Sequence, residues 1–350
     1  MYRTLIQLAD GTEISSGSGK NMNVRKCTLT QCCNSGEELT IGSVCSACSE
    51  LTLQVPDNTI RCNEAFTLFR VDDAGNTRQI GVFTPQKPQK AGDCLWKVTA
   101  YDNVSKLDVD LTQWLIDNIA LLHDPRDFVG AVCNQCGVRF KETGFYYHDY
   151  HYIPCFEPNG PVTGRKLLQW VAEFCGYFCV ADPEGNIRFK WYRDSTTIDL
   201  SGSGEAFRYK GKWKLYNEIL PCDGVRIVFE KGTVQYPFRE INNPYIIKDN
   251  PIFERLRESG WNSPAQLLVE KLEDLDAICS YGGGSSYLGA CEVTISSGED
   301  IEVGDIIIAD KQLPEQDEHP NYIYMIVMTK KTTGQQCTLK CTGSYRRSTK

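Results

Sequence analysis

Apolar residues recur at every second position near both ends of this 350-residue chain and at every third or fourth position in its middle, and that switch of period is what most limits the fold. Leu51-Thr-Leu-Gln-Val55 and Ala65-Phe-Thr-Leu-Phe-Arg-Val71 alternate as half-buried strands do. Phe66–Val71 runs into Asp72-Asp-Ala-Gly75-Asn76 and returns through Gln79–Phe83, a hairpin whose Gly and Asn tolerate the positive φ of a tight turn. Leu95-Trp-Lys-Val-Thr-Ala-Tyr101 adds a further strand, so residues 1–101 read as a β domain.

From Asp110 the period becomes helical. Leu111, Leu115, Ile119 and Leu122 share one face, and Asp110 with Gln113 reads as a capping pair, which predicts a helix over 110–122. Thr163, Leu167, Leu168, Val171, Ala172, Cys175 and Gly176 predict a second helix with its cap and its stop, followed by strands at 177–181 and 187–192 around Asp182-Pro-Glu-Gly-Asn186. Residues 102–204 are therefore expected to be an α+β insertion, closed by the linker-like Ser201-Gly-Ser-Gly204. Beyond it, residues 205–350 return to β. Strands are expected at 225–229, 233–238, 291–295, 305–309, 322–328 and 336–342, with Lys330-Lys-Thr-Thr-Gly334 as the final turn. One helix interrupts them over 263–280, where Ser263 is the N-cap, Pro264 occupies the first turn and Gln266 completes the capping box. The fold class is mainly β with an α+β insertion.

Composition removes several function classes. Lys+Arg 37 against Asp+Glu 45 gives a net charge of −8 and a pI near 5.2, the wrong sign for sequence-independent duplex binding, which needs basic patches to displace counterions. No run approaches the roughly 18 apolar residues of a bilayer span, and Met1-Tyr-Arg-Thr-Leu lacks the apolar core of a signal peptide, so the expectation is a chain made in the cytoplasm. Its 17 cysteines are too dilute for a small disulfide scaffold and many stand among apolar neighbours, as Cys175 and Cys179 do beside Val171, Phe174, Phe178 and Val180, and as Cys337 and Cys341 do around Leu339. Buried thiols are favoured over bridges and metal.

Few constellations carry chemistry. Cys133-Asn-Gln-Cys136 followed by Gly137 looks like half of a zinc knuckle, with Cys45-Ser-Ala-Cys48 as the other half, but about 85 residues separate them. His148-Asp-Tyr-His151 near Cys155 gathers imidazole, carboxylate and thiol without the further ligands and base of a metallohydrolase. No nucleophile elbow appears. Gly17-Ser-Gly-Lys20 lacks the Ser or Thr of a phosphate loop, since Asn21 follows. Residues 299–318 hold eight acids (Glu299, Asp300, Glu302, Asp305, Asp310, Glu315, Asp317, Glu318) against Lys311, read as a solvated rim in preference to a negative docking surface. The catalytic, cofactor and metal sets are therefore expected to be empty.

The order of several phrases resembles phage baseplate hub, or tail-tip, proteins, the family that includes the N-terminal hub region of tail-associated lysins and prophage tail proteins. They are Leu39-Thr-Ile-Gly-Ser-Val-Cys45 leading into Leu51-Thr-Leu, Lys97-Val-Thr-Ala-Tyr-Asp102 with Leu107, Thr163-Gly-Arg-Lys-Leu-Leu168, Val171-Ala-Glu-Phe-Cys-Gly176, Asp182-Pro-Glu-Gly185, Asn243-Pro-Tyr245, Gly304-Asp-Ile-Ile307 and the Tyr322–Thr342 hairpin. The resemblance implies two tail-tube-like β-barrel domains per subunit, a homotrimeric ring, and a hub joining tail tube and distal tail proteins to a tip or spike while DNA passes through the lumen of the virion. An acidic lumen suits such a conduit, because like charge keeps the wall from holding phosphates. Two rivals stay open at this point: a peptidoglycan hydrolase using His148, Asp149, His151 and Cys155, and a zinc-stabilised binding module built on Cys133 and Cys136.

Overall fold

The computed structural model describes residues 2–17, 23–34, 40–56, 64–147, 151–192, 198–199, 208–209, 224–229, 232–237, 245–258, 266–268, 270–271, 286–295, 300–310 and 322–346. The chain is mainly β with an α+β insertion. Its N-terminal strands are β1 (Arg3–Leu8), β2 (Glu13–Ser15), β3 (Asn23–Cys32), β4 (Cys48–Gln54), β5 (Phe66–Val71), β6 (Thr77–Pro85), β7 (Gln89–Gly92) and β8 (Leu95–Asp102). The alternation read in the sequence is what they bury: β5 alternates buried and half-buried positions along its whole length, and Leu51 and Leu53 of β4 point inward.

These strands pair in the order β3-β4-β8-β6-β5-β1-β2. In a flat sheet β3 and β2 would stand about 29 Å apart. Instead Val24 and Leu29 of β3, Ile14 of β2, and Phe66, Leu68, Phe83, Val98 and Ala100 between them belong to one buried cluster, so the sheet curls around its own core. Phe83 marks the corner, where β6 leaves its pairing with β5 and goes on to pair with β8 as far as Pro85.

The insertion opens with a 3-10 turn over Asn103–Leu107 and continues through α1 (Thr112–Asn118), α2 (Pro125–Gln135), α3 (Gly164–Cys175) and the hairpin β9 (Phe178–Ala181) with β10 (Ile187–Lys190). Helix α3 begins and ends where its sequence says. Thr163 accepts from Lys166 N, Gly176 takes the left-handed conformation at φ 73°, and Leu167, Leu168, Val171 and Phe174 are fully buried. Helix α1 is shorter than the expected 110–122 and finishes as a 3-10 turn over Ile119–Leu121. Its expected capping pair does not form: Asp110 accepts from Thr112 N at 2.9 Å, but Gln113 turns away to Asp117. Helix α2 was not anticipated, although Asp124 caps it and Pro125 occupies its first turn.

The remaining strands are β11 (Ile198–Asp199), β12 (Arg208–Tyr209), β13 (Gly224–Phe229), β14 (Gly232–Pro237), β15 (Tyr245–Ile247), β16 (Ser286–Ile295), β17 (Ile306–Asp310), β18 (Tyr322–Thr333) and β19 (Gln336–Arg346), with α4 over Pro251–Glu258. Strands β13, β14 and β15 form a separate small sheet, and Val225, Ile227 and Ile247 join the core of the insertion together with Ile252 and Phe253 of α4. The expected final turn contracts to Gly334-Gln335, so β18 and β19 run further than the sequence indicates. The linker Ser201–Gly204 and the caps Ser263 and Pro264 lie outside the described residues, while 266–268 and 270–271 are helical as expected.

Strand pairing also joins the two β regions. A bulge between Val327 and Thr329 bends β18, whose first half pairs with β17 and whose Thr329–Thr333 segment pairs with Thr28–Cys32 of β3. One sheet of 14 strands results, its main path running from β12 to β2. No closed barrel is traced among the described residues, whose two β regions join in one continuous curled sheet.

Candidate functional site

The constellations singled out in the sequence scatter. Cys133 is fully buried and Cys136 sits at the C-cap of α2, where its sulfur packs against Gly164; burial pushes both thiols up. Among the described residues no group of three or more His, Cys, Asp or Glu is arranged to hold a metal ion, so the joint site with Cys45 and Cys48 is not assembled. His148 and Asp149 lie outside the described residues. His151 is only 2% exposed and presents its ring to Phe174 at 4.9 Å and 74°, a core contact, while Cys155 is exposed. His123, which the sequence did not bring forward, orders this stretch: its ring stacks on Tyr152 at 4.5 Å and its Nδ1 lies 2.8 Å from Ile153 O.

What the fold does assemble is a junction where the insertion docks on the sheet. Residues 40–47 run beside the insertion and lead into β4. Gly42 N donates to Tyr177 O at 2.7 Å, Cys179 N to Ser43 O at 2.7 Å and Cys45 N to Cys179 O at 3.2 Å, so this segment lies beside β9 as a short additional strand. Arg165, on the first turn of α3, fastens it. Its guanidinium donates to Asp108 through Nε at 2.6 Å and Nη2 at 2.9 Å, to Val44 O at 2.7 Å and to Ser46 Oγ at 3.0 Å. Asp102, at the end of β8, accepts from Ala47 N at 2.9 Å and Val104 N at 3.1 Å; burial pushes its carboxyl up to about 7 despite these donors.

The second half of the junction is ionic. Lys190 of β10 is buried, and its ammonium donates to Glu302 at 3.1 Å, Val303 O at 3.0 Å and Asp305 at 2.8 Å. Arg188 adds a further bond to Glu302. Burial alone would raise the Glu302 carboxyl, yet Lys190 and Arg188 together hold it at about 2. The acids expected to form a solvated rim are thus divided: Glu302 and Asp305 are counter-ions inside the junction, Asp300 pairs with Arg78 on the surface, and Glu299, Glu315, Asp317 and Glu318 lie outside the described residues. Between the two halves is a cleft of about 50 Å³ whose walls include Cys32, Cys45, Asp102, Ala181, Arg188 and Glu302.

Chemically the junction is a fastener. Its charges neutralise one another and its backbone groups complete a ladder. No signal short of the fold marked Arg165, Lys190 or Glu302 as partners, because each stands in the sequence as an ordinary surface charge.

No family model and no curated relative matches the sequence. The structure does match solved ones. The 43 kDa tail protein of prophage MuSo2 from Shewanella oneidensis aligns with a TM-score of 0.58 at 12% identity, over 97% of this chain and 97% of that chain. The tail protein from Neisseria meningitidis MC58 aligns at 0.57 and 9% identity, over 97% of this chain and 96% of that one. The chain shares the fold of these two prophage tail proteins, members of the group its sequence resembles.

Proposed function

We propose that this protein is a structural, non-enzymatic hub at the distal end of a phage tail or phage-derived particle, a homotrimeric ring that joins the tail tube and distal tail proteins to a tip or spike and lets DNA through. The observation that carries the reading is the end-to-end match to two prophage tail proteins, which spans 97% of the chain and so includes both the curled sheet and the insertion. In this reading residues 1–101 and 205–350 supply the ring's β regions and residues 102–204 its insertion.

Two further features support it. Among the described residues the strand path ends at β2 and β12, and such edges are what neighbouring subunits of a closed ring cover without open-ended growth. The net charge of −8 suits a lumen that must not hold DNA. No helix among the described residues is long and apolar enough to cross a membrane. The burial of His151 against Phe174 supports the structural reading over the hydrolase alternative, since a catalytic imidazole must reach solvent and substrate.

Symmetry-averaged imaging of intact particles from the source phage tests the reading. The expected result is three copies of this chain around the tail axis beneath the tube. Finding the chain in the capsid or the sheath, or as one copy off the axis, overturns it.

A further inference from the structure

Between α2 and α3 the chain crosses the surface as Glu157-Pro-Asn-Gly-Pro161, outside any helix or strand. Pro158 and Pro161 have no N–H to give to a ladder. Both flanks of the stretch are fixed. Phe156 is buried in the core of the insertion, while Val162 donates to Thr112 Oγ1 at 2.8 Å and accepts from Leu111 N at 2.8 Å. Between these anchors Asn159 and Gly160 are both exposed, and neither the Asn159 amide nor the Gly160 N–H is engaged in a hydrogen bond. Gly160 has φ 114°, and a Cβ built there would meet nothing within 4 Å, so the space beside the peptide bond is open. Asn159 is also the only asparagine in the sequence that a glycine follows. Other asparagines have their side-chain amides held: Asn76 donates to Asp72, Asn103 to Gly185 O, Asn118 to Trp114 O, Asn186 to Asp182 and Asn250 to Trp170 O.

We propose that Asn159 is a site of spontaneous deamidation, at which the folded protein turns a neutral amide into a carboxylate through a ring closed by the Gly160 nitrogen. The proposal stands on this stretch of chain alone and does not depend on the hub reading. The Gly160 nitrogen gives its proton to solvent base and attacks the Asn159 Cγ. The bond from Cγ to the side-chain nitrogen breaks, and that nitrogen takes up a proton and leaves as ammonia, so a five-membered succinimide remains. Water then adds to one of the two ring carbonyls and the ring C–N bond at that carbon breaks, with the nitrogen regaining its proton. Opening at Cγ gives an ordinary aspartate, and opening at the main-chain carbonyl gives an isoaspartate whose chain runs on through Cβ. One water enters and one ammonia leaves, with no change of oxidation state. A glycine suits the step because no Cβ crowds the attacking nitrogen, and a segment held in a helix or ladder could not bring that nitrogen round to the side chain. The longer backbone of the isoaspartate is taken up within an exposed stretch whose flanks stay anchored at Phe156 and Val162, so the converted chain remains folded. Each conversion adds one negative charge to the net charge of −8.

The full folded chain, aged in mildly alkaline buffer made with heavy-oxygen water and then digested with trypsin, tests this. The peptide Glu142–Arg165 contains Asn159 as its single side-chain amide, so a deamidated product in it reports this position alone. The expected result is two products that grow with time, an aspartate and an isoaspartate, each carrying one heavy oxygen from the water, with a matching acidic shift of the intact chain by one charge. Asn159→Gln should lose both products and the acidic shift, since its longer side chain closes a six-membered ring far more slowly. The isolated wild-type peptide, aged alongside, sets the time over which an unstructured chain converts. A folded chain that keeps Asn159 intact while this peptide converts overturns the proposal. So does aspartate without isoaspartate, which would mean direct hydrolysis with no ring, and so does earlier conversion at Asn76, Asn103, Asn118, Asn186 or Asn250. The wild-type map decides even if the variant fails to fold.

Discussion

Glu173 shows how one side chain can make the stability of this junction sensitive to pH. It sits on α3 with Oε2 accepting from Asn250 Nδ2 at 3.0 Å and Oε1 lying 3.4 Å from the Tyr245 hydroxyl, and burial pushes it up to about 7. An unfolded chain ionises this group near 4.5, so between about pH 4.5 and 7 the folded state binds more protons and stability falls as pH rises; below that window the group is neutral in both states. Asp102, also raised to about 7, contributes with the same sign. Glu173→Gln keeps the shape and both hydrogen bonds and removes the ionisation. Its denaturation midpoint should match the wild type near pH 4.5 and exceed it by about 2 kcal/mol at pH 8. Parallel curves for the two proteins across that range would rule the assignment out. Nothing in Val171-Ala-Glu-Phe-Cys-Gly176 announces this role, because a lone Glu inside a helix reads as a solvent-facing charge until the segments that cover it are known.

Elements were legible to the extent that their signals are local. Thr163 and Gly176 bound α3 because a cap and a stop act within one turn, and the hairpin of β5 and β6 follows from its own turn residues. Helices α2 and α4 are not legible in the sequence although Asp124-Pro125 and Asn250-Pro251 begin them, since their apolar stripes are short. Loop 40–47 carries the plainest test at this scale. Gly42 has φ 80°, and a Cβ there would stand 2.5 Å from the Glu173 Cβ and 2.9 Å from its backbone N and Cα, so neither the conformation nor the space admits a side chain. Gly42→Ala should lower stability by about 3 kcal/mol, read from urea midpoints. A loss under about 1 kcal/mol would mean that the loop does not sit against α3 as described.

The whole molecule is held together across long sequence distances, which is why local patterns gave the strands but not their union in one sheet. Lys190 ties the insertion to the segment before β17, and Lys190→Met would leave Glu302 and Asp305 without their shared cation. A loss of about 3 kcal/mol is expected at neutral pH. Because Glu302 titrates near 2 when folded, its stabilisation is present above about pH 4.5 and disappears as pH falls toward 2, so the difference between variant and wild type should narrow over that range. Chemical denaturation at pH 7 and pH 3 checks both statements, and an equal gap at the two values would refute them. The bend in β18 has its own consequence for how the protein is made. Thr28 and Thr333 touch through their hydroxyls at 3.2 Å although 305 residues separate them, so the ladder that seats β3 against β18 can close only after nearly the whole chain has left the ribosome. Until then a nascent chain displays β3 with one unsatisfied flank, a surface on which two growing copies can wrongly pair. Synthesis rate and chaperone supply, more than final stability, would then decide how much of this protein reaches its assembled state.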